Sequence, residues 1–88
     1  MEIDSLTEKI DNIIETIFEC NFNIVVQNTL KIVEYIDQNI VFSNEENRET
    51  WKQIIYYLTI GLENKDYLAV GDILKYELKP MLEEENLL

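Results

Sequence analysis

The absence of histidine sets the first limit on the chemistry that this sequence can perform. Histidine is the side chain that most readily transfers protons near neutral pH. The one cysteine, Cys20, therefore has no imidazole base, and no lysine or arginine lies beside it in the sequence to stabilise a thiolate. We expect Cys20 to be a small buried hydrophobic residue at the end of the first helix rather than a nucleophile.

Acidic residues are the other candidates for chemistry, and three of them recur one helical turn apart: Asp11, Glu15 and Glu19. Oxygen ligands at this spacing could hold a hard cation loosely. A di-iron bundle needs a Glu-x-x-His motif, which cannot occur here, and no calcium-loop pattern is present. Spacing alone does not distinguish a glycosidase-type carboxylate pair from a solvated face. We predict a solvated acidic face, with no metal, no cofactor and no catalytic residue.

Phosphate groups and nucleic acids are poor ligands for this sequence. Gly61 and Gly71 lie within helical patterns and do not form a phosphate-binding loop. Eighteen acidic residues against seven basic ones give a formal net charge of −11 at pH 7, which repels phosphate backbones and anionic lipid. We therefore predict basic or neutral protein partners, no nucleic acid and no membrane. The bases are scattered rather than gathered in a stripe: Lys9, Lys31, Arg48, Lys52, Lys65, Lys75 and Lys79.

The length and composition predict a single domain over residues 1–88, since 88 residues are too few for two independent cores. The hydrophobic fraction of 47% and the charged fraction of 28% are typical of globular proteins. No segment approaches the roughly 18 apolar residues of a membrane span, and the first residues show no basic stretch before a hydrophobic run. We expect a cytoplasmic protein held together by packing alone, because one cysteine cannot form an internal disulfide.

Apolar residues recur at spacings of three and four, which predicts an all-α fold. The expected architecture is a four-helix antiparallel bundle with short connections and a kinked C-terminal end at Pro80. Helix 1 begins at Ser5, which forms a Ser-x-x-Glu capping box with Glu8. Helix 2 has Asn23 as its N-cap and runs to about Ile40. Their predicted core faces are Leu6, Ile10, Ile13, Ile14, Ile17, Phe18, Val25, Val26, Thr29, Leu30, Val33, Ile36 and Ile40, with Ile32 on the margin.

Helix 3 begins near Asn44, where Ser43 and Glu46 repeat the capping box. Helix 4 runs from about Asp66, its predicted N-cap, to Lys79. Pro80 is then expected to end or kink the helix, which leaves residues 83–88 as a frayed or kinked tail. The predicted core faces are Trp51, Ile54, Ile55, Leu58 and Leu62 on helix 3 and Tyr67, Val70, Leu74, Leu78 and Met81 on helix 4, with Gly71 permitting close approach of another backbone.

Helix 3 also carries apolar side chains on the arc opposite its core face, namely Tyr56, Tyr57 and Ile60. Ile73 and Tyr76 occupy a comparable outer arc of helix 4. Aromatic residues are favoured at protein interfaces because they bury a large area with few torsions. We predict a partner-binding surface from these residues. In the alternative interpretation, helix 1 or the tail covers them and helix 3 is the central helix of the bundle.

The stretch from Tyr57 to Pro80 carries a recognisable order of elements: Asn64-Lys65-Asp66-Tyr67, then Leu74, Leu78 and Pro80. It resembles the second half of a tetratricopeptide unit, in which a turn leads into Asp-Tyr, a helix and a proline. Val70 and Glu77 stand where that motif keeps small residues, and residues 1–45 contain no second copy. The resemblance therefore implies a helical hairpin and not a solenoid.

Residues 71–84 resemble the C-terminal part of small uncharacterised all-helical bacterial proteins, a likeness that implies no activity and no functional residue. In size, acidity and helix count the chain is similar to bacteriocin immunity proteins, and in helix count to flagellar export chaperones.

These patterns favour a non-enzymatic interaction module, of an adaptor, chaperone-like or regulatory kind. It would dock a partner helix or a second copy of itself on helices 3 and 4. The alternative is an acidic inhibitor or immunity-type protein that binds a basic partner through its carboxylates. The residues of that alternative site are Glu15, Glu19, Glu45, Glu46 and Glu49.

Overall fold

The computed structural model describes residues 6–87 as an all-α bundle. Three long helices come first: α1 (Leu6–Phe18), α2 (Phe22–Asn39) and α3 (Glu45–Glu63). The fourth helix consists of α4 (Tyr67–Ile73), a π-helical segment (Leu74–Leu78) and α5 (Lys79–Glu84). The four-helix bundle predicted from the sequence is thereby confirmed. The capping box predicted at Ser5 lies outside the described residues.

Short connections pair the helices. Residues 19–21 join α1 to α2, and residues 64–66 join α3 to α4, so that each pair packs as a helical hairpin. The fourth helix also packs against α1, which brings the two hairpins together. Between Leu6 and Leu87, no helix is long and apolar enough to cross a bilayer.

The core follows the predicted faces of α1, α3 and the fourth helix. Leu6, Ile10, Ile13 and Ile17 of α1 are buried, and so are Trp51, Ile54 and Leu58 of α3. On the fourth helix the buried set is Val70, Leu74, Leu78, Met81 and Leu82. The predicted face of α2 needs correction, because Leu30 is 55% exposed and Ile32 is fully buried in its place. The buried stripe of α2 is Val25, Thr29, Ile32 and Ile36.

Two of the predicted helix starts are displaced by one or two residues. The N-cap of α3 is Asn44, whose side chain accepts a hydrogen bond from the Asn47 amide at 2.7 Å, so Ser43 does not cap this helix. The residue before α2 is Asn21 rather than Asn23, and its side chain makes no capping bond. Asp66 caps α4 as predicted, accepting from the Ala69 amide at 3.2 Å.

Three helices end in the same way, with a residue other than glycine in the left-handed region. These residues are Cys20, Lys65 and Asn86, with φ of 60°, 57° and 61°. At the end of α3, the Lys65 amide donates to the Leu62 carbonyl at 3.2 Å and the Asp66 amide donates to the Gly61 carbonyl at 2.8 Å. This pair of bonds is the Schellman motif, which satisfies the last carbonyls of a helix.

Pro80 does not end the fourth helix at Lys79, since helical structure continues to Glu84. The helix instead adopts a π-helical turn directly before the proline, and the Lys79 amide donates to the Leu74 carbonyl five residues back. An uninterrupted α-helix would bring the proline ring against the carbonyl of Tyr76. The predicted disturbance at Pro80 therefore takes the form of a π turn within a helix that continues.

The C-terminal residues are docked rather than frayed as far as Leu87, which packs against the core. Glu85 accepts hydrogen bonds from the Ser43 amide at 3.0 Å, the Ser43 hydroxyl at 2.9 Å and the Asn47 side chain at 2.6 Å. The bond from Asn47 lowers the pKa of Glu85, and the Ser43 bonds and the charge of Arg48 lower it further, while desolvation acts in the opposite direction. Glu85 thus ties the last helix to the start of α3.

A contact between α2 and α3 joins the two hairpins at the other side of the bundle. The indole nitrogen of Trp51 donates to the Asp37 carboxylate at 3.2 Å, and the Trp51 ring lies 6.0 Å from the ring of Phe42. Arg48 donates to the Phe42 carbonyl at 3.1 Å, which holds the α2–α3 connection against α3.

Candidate functional site

Phe18, predicted to face the core, is instead 74% exposed at the end of α1. It stands beside a concavity of about 180 Å³ between α1 and α4, which we call the α1–α4 groove. Phe18, Ile14 and Ile17 form the α1 wall, and Leu68, Asp72, Lys75 and Tyr76 form the opposite wall, with Gly71 between. Leu68 is 67% exposed and Tyr76 62% exposed. Three large side chains therefore border one concavity with most of their surface in water.

The depth of the α1–α4 groove depends on Gly71. A Cβ built on Gly71 would lie 3.2 Å from Cδ1 of Ile17. This contact is tighter than most, so even an alanine would push against the α1 wall. The close neighbour of Gly71 is therefore a side chain and not the backbone predicted from the sequence.

A second hollow continues from the α1–α4 groove past Phe18 and Leu68 toward the turn between α1 and α2. We call it the turn hollow; it has a volume of about 390 Å³ and is lined further by Cys20, Phe22 and Tyr67. The rings of Phe22 and Tyr67 are stacked, with centroids 4.2 Å apart and planes 6° from parallel. Aromatic pairs contribute about 0.5–1.5 kcal/mol beyond the burial of their surface, which helps to hold these two rings together. Cys20 is exposed, which corrects the prediction of a buried thiol.

The predicted partner-binding residues fall into separate places. Tyr56 and Tyr57 are 55% and 57% exposed, and their rings meet edge to face at 5.4 Å. This exposure contradicts the alternative interpretation, in which helix 1 or the tail covers them. Ile60 and Ile73 are only half-buried. Tyr76 lines the α1–α4 groove, whereas Tyr56 and Tyr57 line a shallow hollow with Glu49, Lys52 and Gln53.

Two residues that matter most to the α1–α4 groove, Phe18 and Leu68, were missing from the predicted surface. A signal for Leu68 was available, because Leu68, Asp72 and Tyr76 follow one another at intervals of four and so share one side of a helix. Phe18 gave no such signal. Its spacing from Ile14 and Ile17 places it on the edge of the core stripe, where exposure depends on the neighbouring helix.

Other parts of the described surface offer less to a ligand. A hollow of about 270 Å³ lies where α2 meets α3, but of its large apolar side chains only Val41 is mostly exposed. Within residues 6–87, no group of three or more histidine, cysteine, aspartate or glutamate side chains is placed to hold a metal ion. Asp11, one of the acids considered as a cation ligand, pairs with Lys79 across α1 and α5 at 2.9 Å.

The carboxylates of the alternative site are all exposed. Glu15 and Glu19 lie on and just after α1, and Glu45, Glu46 and Glu49 lie in the first turns of α3. Glu49 pairs with Lys52 at 3.3 Å, an exposed pair within one helix. An exposed pair of this kind contributes little to stability, so it does not prevent Glu49 from contacting a partner. The other four carboxylates are exposed as well.

No protein-family model matches the chain, and no curated protein or solved structure is significantly similar to it. The resemblances noted in the sequence therefore stay predictions, and any functional proposal rests on the chemistry of the described surface.

Proposed function

We propose that this chain is a non-enzymatic protein–protein interaction module that docks a partner through the α1–α4 groove. The observation that carries the proposal is the grouping of Phe18, Leu68 and Tyr76, each more than 60% exposed, around one concavity. Small soluble proteins rarely leave several large apolar side chains together in water unless the patch is used for contact. The driving force for docking is burial of these side chains.

The docking surface that we propose lies on α1 and the fourth helix, whereas the sequence analysis predicted one on helices 3 and 4. Tyr76 is the residue that the predicted surface and the groove share. Tyr56 and Tyr57 are exposed and meet edge to face in a different hollow, so they lie outside the proposed docking surface. A cytoplasmic location belongs to the proposal, since one free cysteine suits a reducing compartment.

Site-specific photo-crosslinking tests the proposal. A photoreactive amino acid is placed at Leu68 in the groove and, in a matched control chain, at Leu30, which is an exposed leucine on α2. We expect crosslinks to a defined protein, either another chain or another copy of this one, from position 68 and not from position 30. Equal crosslinking in cells from positions 68 and 30 would contradict the proposal.

A second candidate function, an acidic inhibitor or immunity-type protein, is favoured by the exposure of Glu15, Glu19, Glu45, Glu46 and Glu49. It would bind a basic partner through charge, so its affinity should fall steeply with salt. Docking in the α1–α4 groove is apolar, so its affinity should not fall when salt is raised from about 0.01 M to about 0.15 M, an interval over which the Debye length shortens from about 30 Å to about 8 Å. The salt dependence of a captured complex therefore decides between the two functions.

A further inference from the structure

We infer that the occupant of the α1–α4 groove is a second copy of this chain, arranged as a two-fold symmetric dimer. The inference rests on the proposed function and names its partner. Three features support it: the charge at the rim of the groove, the shape of the two adjoining hollows, and the charge of the rest of the molecule.

The rim is electrically balanced. Lys75 and Asp72 line the α1–α4 groove, and Lys65 and Asp66 line the turn hollow, which gives two bases and two acids around the apolar centre. The whole chain carries −11. Glu15 and Glu19 do not line either hollow. Two copies of so acidic a protein repel each other, and the charged residues that line this face add no net charge to that repulsion.

A rim that carries both signs favours a copy of itself over a strongly basic or acidic partner. In a two-fold interface, a residue of one copy meets a second residue of its partner, and the reverse contact also forms. Lys75 of each copy can then face Asp72 of the other. A strongly basic partner would instead leave Lys65 and Lys75 without an opposite charge, and a strongly acidic one would leave Asp66 and Asp72 without one.

The shape of the face is also suited to self-association. Phe18 and Leu68 stand between the α1–α4 groove and the turn hollow, since both residues line both cavities. The face therefore presents a ridge with a hollow on each side, and the ridge of one copy can enter a hollow of the other. At the turn-hollow end of this face, the rings of Phe22 and Tyr67 are stacked. At the groove end, the Lys75 ammonium lies 5.3 Å from the centre of the Tyr76 ring.

Sedimentation velocity between about 1 μM and about 1 mM tests the dimer in the intact chain. We expect the sedimentation coefficient to rise with concentration. Leu68→Asp should weaken dimerisation by at least about tenfold, because it places a charge at the centre of the interface. Leu30→Asp, which changes an exposed leucine outside the groove, should leave dimerisation unchanged. Melting followed by circular dichroism verifies that both variants are folded.

Cys20 supplies an independent readout, because it is the one thiol in the chain and lines the turn hollow. Its rate of alkylation by a maleimide should fall over the concentration range in which the sedimentation coefficient rises. In Leu68→Asp the rate should stay constant over that range. A rate that is independent of concentration while the chain dimerises would place the interface elsewhere and overturn the inference.

Charge variants test the balanced rim. Lys75→Glu makes the rim acidic and Asp72→Lys makes it basic, so each chain alone should dimerise more weakly than the unchanged protein. An equimolar mixture of the two variants should recover association as a heterodimer. Association of the mixture no stronger than that of each variant alone would overturn the pairing of Lys75 with Asp72.

These experiments separate the two proposals. A chain that stays monomeric to about 1 mM yet crosslinks to a different protein from position 68 overturns the dimer and leaves the interaction module in place. A chain that stays monomeric and crosslinks to nothing from that position overturns both. A dimer that persists in Leu68→Asp uses another face and overturns the inference alone.

Discussion

Lys65 occupies a backbone conformation that suits glycine better than lysine. Its φ of 57° lies in the left-handed region, at the end of α3. This conformation costs a residue with a Cβ roughly 1–2 kcal/mol. The Schellman bonds around Lys65 offset part of that cost by satisfying the last carbonyls of the helix.

Lys65→Gly is therefore expected to raise the free energy of unfolding by about 0.5–1 kcal/mol, because the relief of strain exceeds the entropy lost in ordering a glycine. Urea denaturation followed by circular dichroism measures the change. Lys65→Ala is the matched control, since it removes the charge and keeps the Cβ. If alanine stabilises the protein as much as glycine does, the backbone explanation fails.

Glu85 makes stability depend on pH through the bonds that it accepts from Ser43 and Asn47. These bonds lower the pKa of Glu85 in the folded protein. The unfolded chain then binds more protons than the folded one as the pH falls, so stability rises with pH through this window. The contribution of Glu85 is complete above the usual glutamate value of 4.5 and is lost as the pH falls through the lower folded value.

Glu85→Gln should thus lower the melting temperature at pH 7 and lower it by less at an acid pH below 4.5, where the glutamate of the unchanged protein is increasingly protonated. The comparison of variant and unchanged protein at each pH cancels the titration of the other acids. Glu84→Gln, which changes the exposed last residue of α5, should have a smaller effect at pH 7. If Glu85→Gln lowers the melting temperature by the same amount at both pH values, the lost stability comes from packing and not from the charge of Glu85.

At the scale of the elements, Gly61 sets how closely α3 and α4 approach. A Cβ built on Gly61 would lie 2.9 Å from Cγ2 of Val70, a distance that real Cβ atoms essentially never show. Val70 is fully buried and β-branched, so its methyl group has little freedom to move. The hairpin of α3 and α4 therefore depends on the missing side chain at Gly61.

Gly61→Ala should destabilise the protein by about 1 kcal/mol, because overpacking costs about 1–3 kcal/mol and the higher helix propensity of alanine returns about 1 kcal/mol. A double-mutant cycle in urea with Val70→Ala isolates the contact. We expect Val70→Ala to cost less stability in the Gly61→Ala variant than in the unchanged protein. Additive effects would mean that the two residues do not compete for space.

Sequence periodicity was sufficient to predict the number of helices and the core faces of α1, α3 and the fourth helix, as the buried Ile13, Leu58 and Leu74 show. It could not predict how wide a stripe each neighbour covers. Phe18 and Leu30 lie at the edges of their stripes, and their exposure depends on where the adjacent helix passes. The predicted helix ends were likewise accurate only to one or two residues where two neighbouring side chains can serve as the cap, as Ser43 and Asn44 can.

The candidate site was harder to predict because it joins two helices that are distant in the sequence. The pattern of helix 4 predicted that Tyr76 faces outward, and Tyr76 is 62% exposed in the structure. Which outward side chain of another helix stands next to Tyr76 depends on packing between the hairpins. That packing places Phe18 of α1 at the groove and leaves Tyr56 and Tyr57 in a different hollow.

At the scale of the whole molecule, repulsion among like charges acts against folding. The described part of the chain measures 35 × 24 × 20 Å, and the full chain carries −11. The Debye length is about 30 Å at 0.01 M salt and about 8 Å at 0.15 M salt. At low salt the acids therefore repel one another across the whole molecule, whereas near physiological salt only neighbouring charges interact.

Sodium chloride should accordingly raise the midpoint of urea unfolding between about 0.01 M and about 0.15 M, with most of the gain in that interval. The protein should be dilute, so that association does not add to the effect. Sucrose of equal osmolality is the control, because it does not screen charge. A midpoint that does not change with salt would mean that acid repulsion is already offset by local pairs such as Asp11 and Lys79.

The indole of Trp51 has a further consequence. It is the one tryptophan in the chain, it is 5% exposed, and it bonds to Asp37 where the two hairpins meet. The protein thus carries a single intrinsic fluorophore at the joint between its halves. Entry of water there would shift the emission to longer wavelength, so separation of intact hairpins would become visible as a red shift that precedes the loss of helical ellipticity.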